Sequence, residues 1–292
     1  MNLTSAEKIN LSSLNLDEKV AQMIIIKAEN FDERFLDLGV GGIFMSKQKT
    51  KKEYKDIIQK YQENSKIKLL VSTDMEGYWN PFSKFYKSKS LGSVKDRKEA
   101  HEFGKEHGET LGELGFNLNF APVVEIRNKV WPGRSFTGTE KEVKEKISGY
   151  IKGLKEEGIL ATAKHYPGGN MIRDPHWLKF KAEIYRSDLE MFDIAVDNNV
   201  DAVMIGHPIV YGAINSDGKQ STISYEVIYH LKKEQKFDGL VITDSIYMLG
   251  LRWSYLFRFD DIYIDLIKAG NDIILEIPMK KNPSYKKIEK RI

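Results

Sequence analysis

There is no cysteine in this chain of 292 residues. Disulfide frameworks and cysteine-ligated metal sites are therefore excluded. No apolar run approaches the length needed to span a bilayer. No charge of one sign dominates, since 45 Lys and Arg face 42 Asp and Glu for a net +3. A dedicated nucleic-acid binder would carry a basic excess on one face. The lysines come interleaved with acids, as in KKEYKDIIQK, which is the pattern of a solvated helix face. No Gly-x-Gly-x-x-Gly or P-loop follows an early strand, which argues against a doubly wound nucleotide-binding sheet. No His-x-His stands on an early strand either, so metal-dependent hydrolysis ranks low and no metal or cofactor is expected. The N-terminus, MNLTSAEKINLSSLNLDEKV, has no basic stretch ahead of an apolar one. A cytoplasmic location is expected on that ground. Linkers, low-complexity tracts and fixed-period repeats are absent too, so one domain over 1–292 is the expectation.

What the chain does have is a recurring short apolar run rich in Val, Ile and Phe. Eight occur: 21–26, 41–45, 68–74, 116–124, 160–166, 201–207, 239–244 and 272–277. Each is too short for a helix and none alternates polar with apolar, which is how strands buried on both faces read. Amphipathic stretches lie between them, among them KTKKEYKDIIQKYQENSK, RKEAHEFGKEHGETLGELG and EVKEKISGYIKGLKEEG, the last ending on a Gly C-cap. SDLEMFDIAVDNN opens on a capping box from Ser187 to Glu190, and SYEVIYHLKKEQK follows. Strand–helix alternation repeated eight times, in a chain near the usual size of about 250 residues, predicts a (β/α)₈ TIM barrel. Its closing helix must come from IPMKKNPSYKKIEKRI and must be short.

Ionisable residues gather where the runs end. Asp74 ends the third run with Glu76 just beyond, Glu125 follows the fourth, Lys164 and His165 lie in the fifth, His207 ends the sixth and Asp244 the seventh. In a barrel these ends form one rim, where active sites lie. Singly, each has a plainer reading. Asp244 is a potential helix N-cap, His207 a satisfied structural histidine, the Lys164–His165 pair an ion-pair partner, and Asp174-Pro175 an ordinary turn. Their joint placement outweighs those readings, because buried carboxylates are costly unless paired or used. Together they point to a hydroxyl-rich substrate.

KHYPGG…DPH, RSF, NLNFAPVVE, DAVMIGH and VITDS, in this order, resemble glycoside hydrolase family 3, closest to its single-domain β-N-acetylglucosaminidase branch. The resemblance runs from LDEKVAQMIII to KAGNDIILEI. It implies a barrel and a retaining glycosidase. It implies Asp244 as nucleophile and Asp174 with His176 as a mobile acid/base pair. It also implies Asp74, Arg134, Lys164, His165 and, more loosely, His207 as sugar-binding residues. A histidine, with its ordinary pKa near 6.5, suits proton transfer at neutral pH. Gly168-Gly169 would let the loop close and reopen.

This chain departs from the branch in places. The branch usually reads KHFPGHG…DSH, and the loop here is one residue shorter. TDMEGYWNPF lacks the usual second glycine and arginine, leaving Trp79 and Phe82 as an aromatic platform. IYMLGLRWSYLFRFDD is rich in aromatics, Trp253, Tyr255, Phe257 and Phe259, which read as core or partner surface ahead of an aglycone site. The leading expectation is release of terminal β-linked N-acetylglucosamine from cell-wall amino sugars. The alternatives are a glucose or xylose specificity, a non-catalytic glycan- or partner-binding barrel, and transfer to phosphate in place of water.

Overall fold

The computed structural model describes residues 11–256, 258–278, 284–290 and 292. The first ten residues, which belong to the stretch read for a leader, lie outside the described residues, as do Phe257 and 279–283 of the closing segment. In chain order the elements are α1 (Leu16–Gln22), β1 (Ile24–Lys27), α2 (Arg34–Asp37), β2 (Gly42–Phe44), α3 (Lys51–Asn64), β3 (Leu70–Thr73), α4 (Arg97–Leu114), β4 (Leu118–Asn119), α5 (Glu140–Glu156) and β5 (Leu160–Tyr166). There follow β6 (Lys181–Ile184), α6 (Arg186–Asp197), β7 (Ala202–Ile205), β8 (Ile209–Gly212), α7 (Tyr225–Tyr229), β9 (Leu240–Thr243), α8 (Leu249–Arg252), α9 (Asp261–Ala269), β10 (Ile274–Glu276) and α10 (Tyr285–Glu289). Eight parallel strands run β10-β1-β2-β3-β4-β5-β7-β9. An Ile242–Ile273 bridge brings β9 to β10 and completes the ring. The fold is a (β/α)₈ barrel.

Burial explains why the runs do not alternate. On β1, Ile25 points into the barrel with Phe44, Leu118, Phe120, Met204, Ile242 and Leu275. Its neighbours Ile24 and Ile26 point outward, into the layer shared with the helices. Both faces are dry, so both are apolar. Phe44 and Phe120 stack across the interior with centroids 6.0 Å apart.

Most predicted helices form as read. Asp96 caps α4 and Thr139 caps α5 by accepting from Glu99 N and Glu142 N. The capping box of α6 falls earlier than read: Asp188, not Glu190, reaches back to the N–H of Tyr185 at 2.8 Å, and Ser187 lies inside the helix. The first run is shorter than read, because Ala21 and Gln22 end α1. In the fourth, the regular ladder stops at Asn119 and pairing resumes only at a Val123–Lys164 bridge. Pro122 lies between them and has no N–H to donate. The two-stranded parallel sheet of β6 and β8 was not foreseen. The closing helix α10 is short, as required, and buries Ile288. Among the described residues no helix is long and apolar enough to cross a membrane.

α4 and α5 approach until backbone meets backbone. A Cβ on Gly104 would lie 2.2 Å from Tyr150 O, and one on Gly153 would lie 2.0 Å from His101 O. Neither contact can be relieved by a side-chain rotation. Gly153→Ala is therefore expected to destabilise the barrel by about 1–3 kcal/mol. The urea midpoint should fall with the m-value unchanged; an unmoved midpoint would mean the helices separate at no cost.

Candidate active site

The C-terminal ends of the strands surround a cavity of about 650 Å³, within the range usual for small-molecule sites. Six of the eight residues singled out in the sequence line it: Asp74, Arg134, Lys164, His165, His176 and Asp244. Asp174 stands behind His176.

The floor is an ion cluster built on Glu76. This carboxylate has no solvent exposure. Arg134 grips it with Nε at 2.7 Å and Nη2 at 2.9 Å, a bidentate fork. Lys164, 1 % exposed, places Nζ 2.5 Å from Glu76 and 2.7 Å from Asp74. Burial alone would raise the Glu76 carboxyl, but Arg134 and Lys164 outweigh it and hold it below its ordinary value. Burial would likewise lower Lys164, and Asp74 with Glu76 reverses that. Asp74 keeps a side-chain exposure of 40 % toward the cavity, so it has lone pairs left for a ligand. Arg134 Nη1 faces Met171 Sδ, at 3.9 Å.

The next wall comes from β5. Its pairing with β7 steps from Lys164–Met204 to Tyr166–Ile205 and leaves His165 out of the ladder. Such irregularities re-aim a side chain. His165 Nδ1 lies 2.9 Å from Glu125 Oε1, and its Nε2 lies 3.9 Å from Asp244 Oδ2. Burial pushes the Glu125 carboxyl up to about 8. Burial also drives His165 well below its ordinary range, with Arg134 and Lys164 adding to the effect. At neutral pH the pair thus holds one proton between Oε1 and Nδ1. With that proton on the carboxyl, Nε2–H is the face His165 turns to the cavity.

Asp244 follows β9, and its Oδ1 accepts from Ser245 N at 2.7 Å. No helix begins there, so it is not an N-cap. Asn170, which was not singled out in the sequence, is buried beside it with Nδ2 3.5 Å from Asp244 Oδ2. Across the mouth, Asp174 Oδ1 accepts from both His176 Nδ1 (2.7 Å) and His176 N (2.9 Å). Trp131 stands edge-on to His176 with centroids 6.1 Å apart, and the Arg134 guanidinium lies 5.1 Å from the Trp131 ring centre. Gly168 and Gly169 both take positive φ, 105° and 89°, and form the turn that starts this loop.

Two expectations are corrected. His207 does not reach the cavity wall. Its Nδ1 is 2.5 Å from Thr222 Oγ1 and its Nε2 is 2.9 Å from Ser245 O, which leaves neither ring nitrogen for a sugar. Phe82 is no platform: it is fully buried, edge-on to Tyr54. Trp79 does line the cavity. Of the aromatics after Asp244, Tyr255 is core with its hydroxyl donating to Asp265 at 2.6 Å. Phe259 packs on Tyr247, and Trp253 is exposed.

The Glu125–His165 pair makes a thermodynamic prediction. Unfolded, His165 releases its proton near its ordinary 6.5, whereas the folded pair keeps one until about 8. Between those values the folded state holds the extra proton, so stability falls as pH rises. The slope is bounded at ~1.4 kcal/mol per pH unit. Urea unfolding from pH 6.5 to 8 should show this slope in the wild type and lose it in Glu125→Gln; an equal slope in both would refute the shared proton.

Comparison with known proteins gives a consistent result. The sequence profile described as "Glycosyl hydrolase family 3 N terminal domain" matches residues 15–292. A β-hexosaminidase of Haemophilus influenzae is 24% identical over 251 residues, which are 80% of this chain and 70% of that protein. A β-N-acetylglucosaminidase/β-glucosidase of Cellulomonas fimi is 25% identical, over 92% of this chain and 52% of its own length. Among solved structures, a family 3 β-N-acetylglucosaminidase from Paenibacillus superposes with TM-score 0.82 at 25% identity, covering 94% of this chain and 56% of that one. A family 3 glycosyl hydrolase from Mycobacterium smegmatis gives 0.83 at 24% identity, covering 97% and 91%. This chain thus spans little more than half of the Cellulomonas and Paenibacillus proteins. With the profile match running through the barrel and every cavity-lining residue named above, the chain belongs to glycosyl hydrolase family 3.

Proposed function

We propose that this family 3 glycoside hydrolase is a retaining, exo-acting enzyme that removes terminal β-linked N-acetylglucosamine from cell-wall-type amino sugars. The observation that carries the reading is that Asp244 and the Asp174-oriented His176 border one cavity floored by the Asp74–Lys164–Glu76–Arg134 cluster.

Asp174 occupies His176 Nδ1, so Nε2 is the nitrogen free to move a proton, the arrangement of a Ser-His-Asp triad transferred to sugar chemistry. In the first step an Asp244 oxygen bonds to the anomeric carbon as the glycosidic C–O bond breaks, and His176 gives its proton to the leaving oxygen. In the second step water loses a proton to His176 while its oxygen displaces Asp244. Asp74, Lys164 and His165 Nε2–H supply acceptor and donor groups for sugar hydroxyls on a rigid floor. The N-acetyl preference is supported by the β-hexosaminidase and β-N-acetylglucosaminidase names of the relatives. The Cellulomonas protein, named for both sugars, supports a second reading with the same chemistry on glucosides.

The test is a panel of chromogenic β-N-acetylglucosaminide, glucoside and xyloside with wild type and Asp244→Asn. Turnover of the first, reduced on the order of 10⁴-fold in the variant, is expected. Preference for another sugar would move the substrate and keep the mechanism. No turnover of any of them, where sugar binding is measurable, would leave a binding barrel.

A further inference from the structure

Asp174, Pro175 and His176 lie on a long excursion between β5 and β6, and something must hold this half-buried dyad at the cavity. The structure supplies a grip from the segment after Asp244. Leu249 N–H donates to His176 O at 3.1 Å, and Gly250 N–H donates to Pro175 O at 3.0 Å. Both donors belong to the first turn of α8, where backbone N–H groups lack intrahelical acceptors. Gly250 is close-packed there. A Cβ on it would stand 2.6 Å from Pro175 O and 2.7 Å from Leu178 O. These are backbone atoms, so the loop itself would have to shift.

The grip is anchored from behind. Gln220, 1 % exposed, spends both amide hydrogens on it: Nε2 donates to Gly250 O at 3.0 Å and to Ser254 Oγ at 2.8 Å. Lys179, further along the loop, donates to the same Ser254 Oγ at 3.0 Å. The loop is therefore tied at two points, 175–176 and 179, and packed closely at Leu178 O, against a segment that Gln220 holds in register. Gln220, Gly250 and Ser254 do not line the cavity.

We infer that Gln220 and Gly250 are positioning residues for proton transfer, acting through the loop on His176. The inference rests on the acid/base role proposed above for His176. A merely structural contact would lower every activity together by reducing the folded fraction. A positioning role has a different signature. A leaving group such as 2,4-dinitrophenolate departs without a proton, whereas an alkyl alcohol or a second sugar needs one, and general acid catalysis contributes ~10²–10⁴-fold. The ratio kcat/KM reports the step in which the glycosidic bond breaks, so it isolates acid catalysis from the later deglycosylation.

The experiment compares kcat/KM for dinitrophenyl and methyl β-glycosides of the sugar that wild type prefers, in wild type, Gln220→Leu and Gly250→Ala. Enzyme concentration is set by titration with a fluorosugar that traps the glycosyl-enzyme, so misfolded protein is not counted. Expected is a loss of ~30-fold or more on the methyl glycoside, with the dinitrophenyl glycoside held within ~3-fold. In the variants, azide should raise turnover of the dinitrophenyl substrate, because it attacks the glycosyl-enzyme without a base. Equal losses on the two substrates, or none on either, overturn the inference while leaving the glycosidase reading intact. Absence of turnover in the wild type on both overturns the glycosidase reading and the inference with it.

Discussion

A carboxylate with no access to water sits beneath the cavity, and the arrangement around it depends on neutralising that charge. Glu76 is stable there only because Arg134 and Lys164 meet both of its oxygens. Removing either cation would leave buried charge unpaired, the costly outcome for such sites. The three residues come from the end of β3, the segment before α5 and the middle of β5. Their pairing ties three distant parts of the chain to one point on the rim. It also sets what the cavity can present. With Glu76 consumed inside the cluster, Asp74 is the carboxylate that reaches out, and Lys164 is immobilised as its partner.

Next to this charged cluster lies a pair that avoids charge. Glu125 and His165 share one proton, and burial disfavours ionising the pair. The consequence is directional. His165 turns a neutral N–H toward Asp244, so it can donate to a sugar hydroxyl without adding a full positive charge beside the carboxylate. A floor with fixed charges and a wall with a fixed tautomer give a ligand few ways to bind. Preorganisation of this kind is where such sites gain over water, since nothing reorients when charge develops.

The barrel was readable because its strands are dry on both faces, and the resulting apolar runs cannot be mistaken for surface strands. Ile24, Ile25 and Ile26 illustrate this: consecutive isoleucines face the helices, the interior and the helices again. The cavity was readable because ionisable residues stand in, or just past the ends of, five such runs. What sequence could not separate was a residue on the rim from one turned away from it. His207 ends its run just as Asp244 does, yet Thr222 and Ser245 take both its nitrogens. Phe82 and Trp79 lie in one short loop, and one is core while the other is at the cavity. Glu76 was visible only as a neighbour of Asp74, because its importance lies in partners 58 and 88 positions away. The small β6–β8 sheet was missed for another reason: its strands are four residues each, and β6 alternates exposed with buried.

The loop that carries Asp174 and His176 and the segment after Asp244 meet in space. The loop carries Pro175 between Asp174 and His176. The segment after Asp244 reads SIYMLGLRW. In the structure they form one contact, with Gly250 against Pro175 O and Leu178 O. Pro175 has no N–H of its own to offer, but its carbonyl is the acceptor that Gly250 uses. A proline with fixed φ presents that carbonyl in a narrow range of directions. A glycine opposite it lets the backbones approach closely enough to bond. The docking holds the loop that carries His176 beside the cavity. Pro175 and Gly250 therefore act as one packed unit.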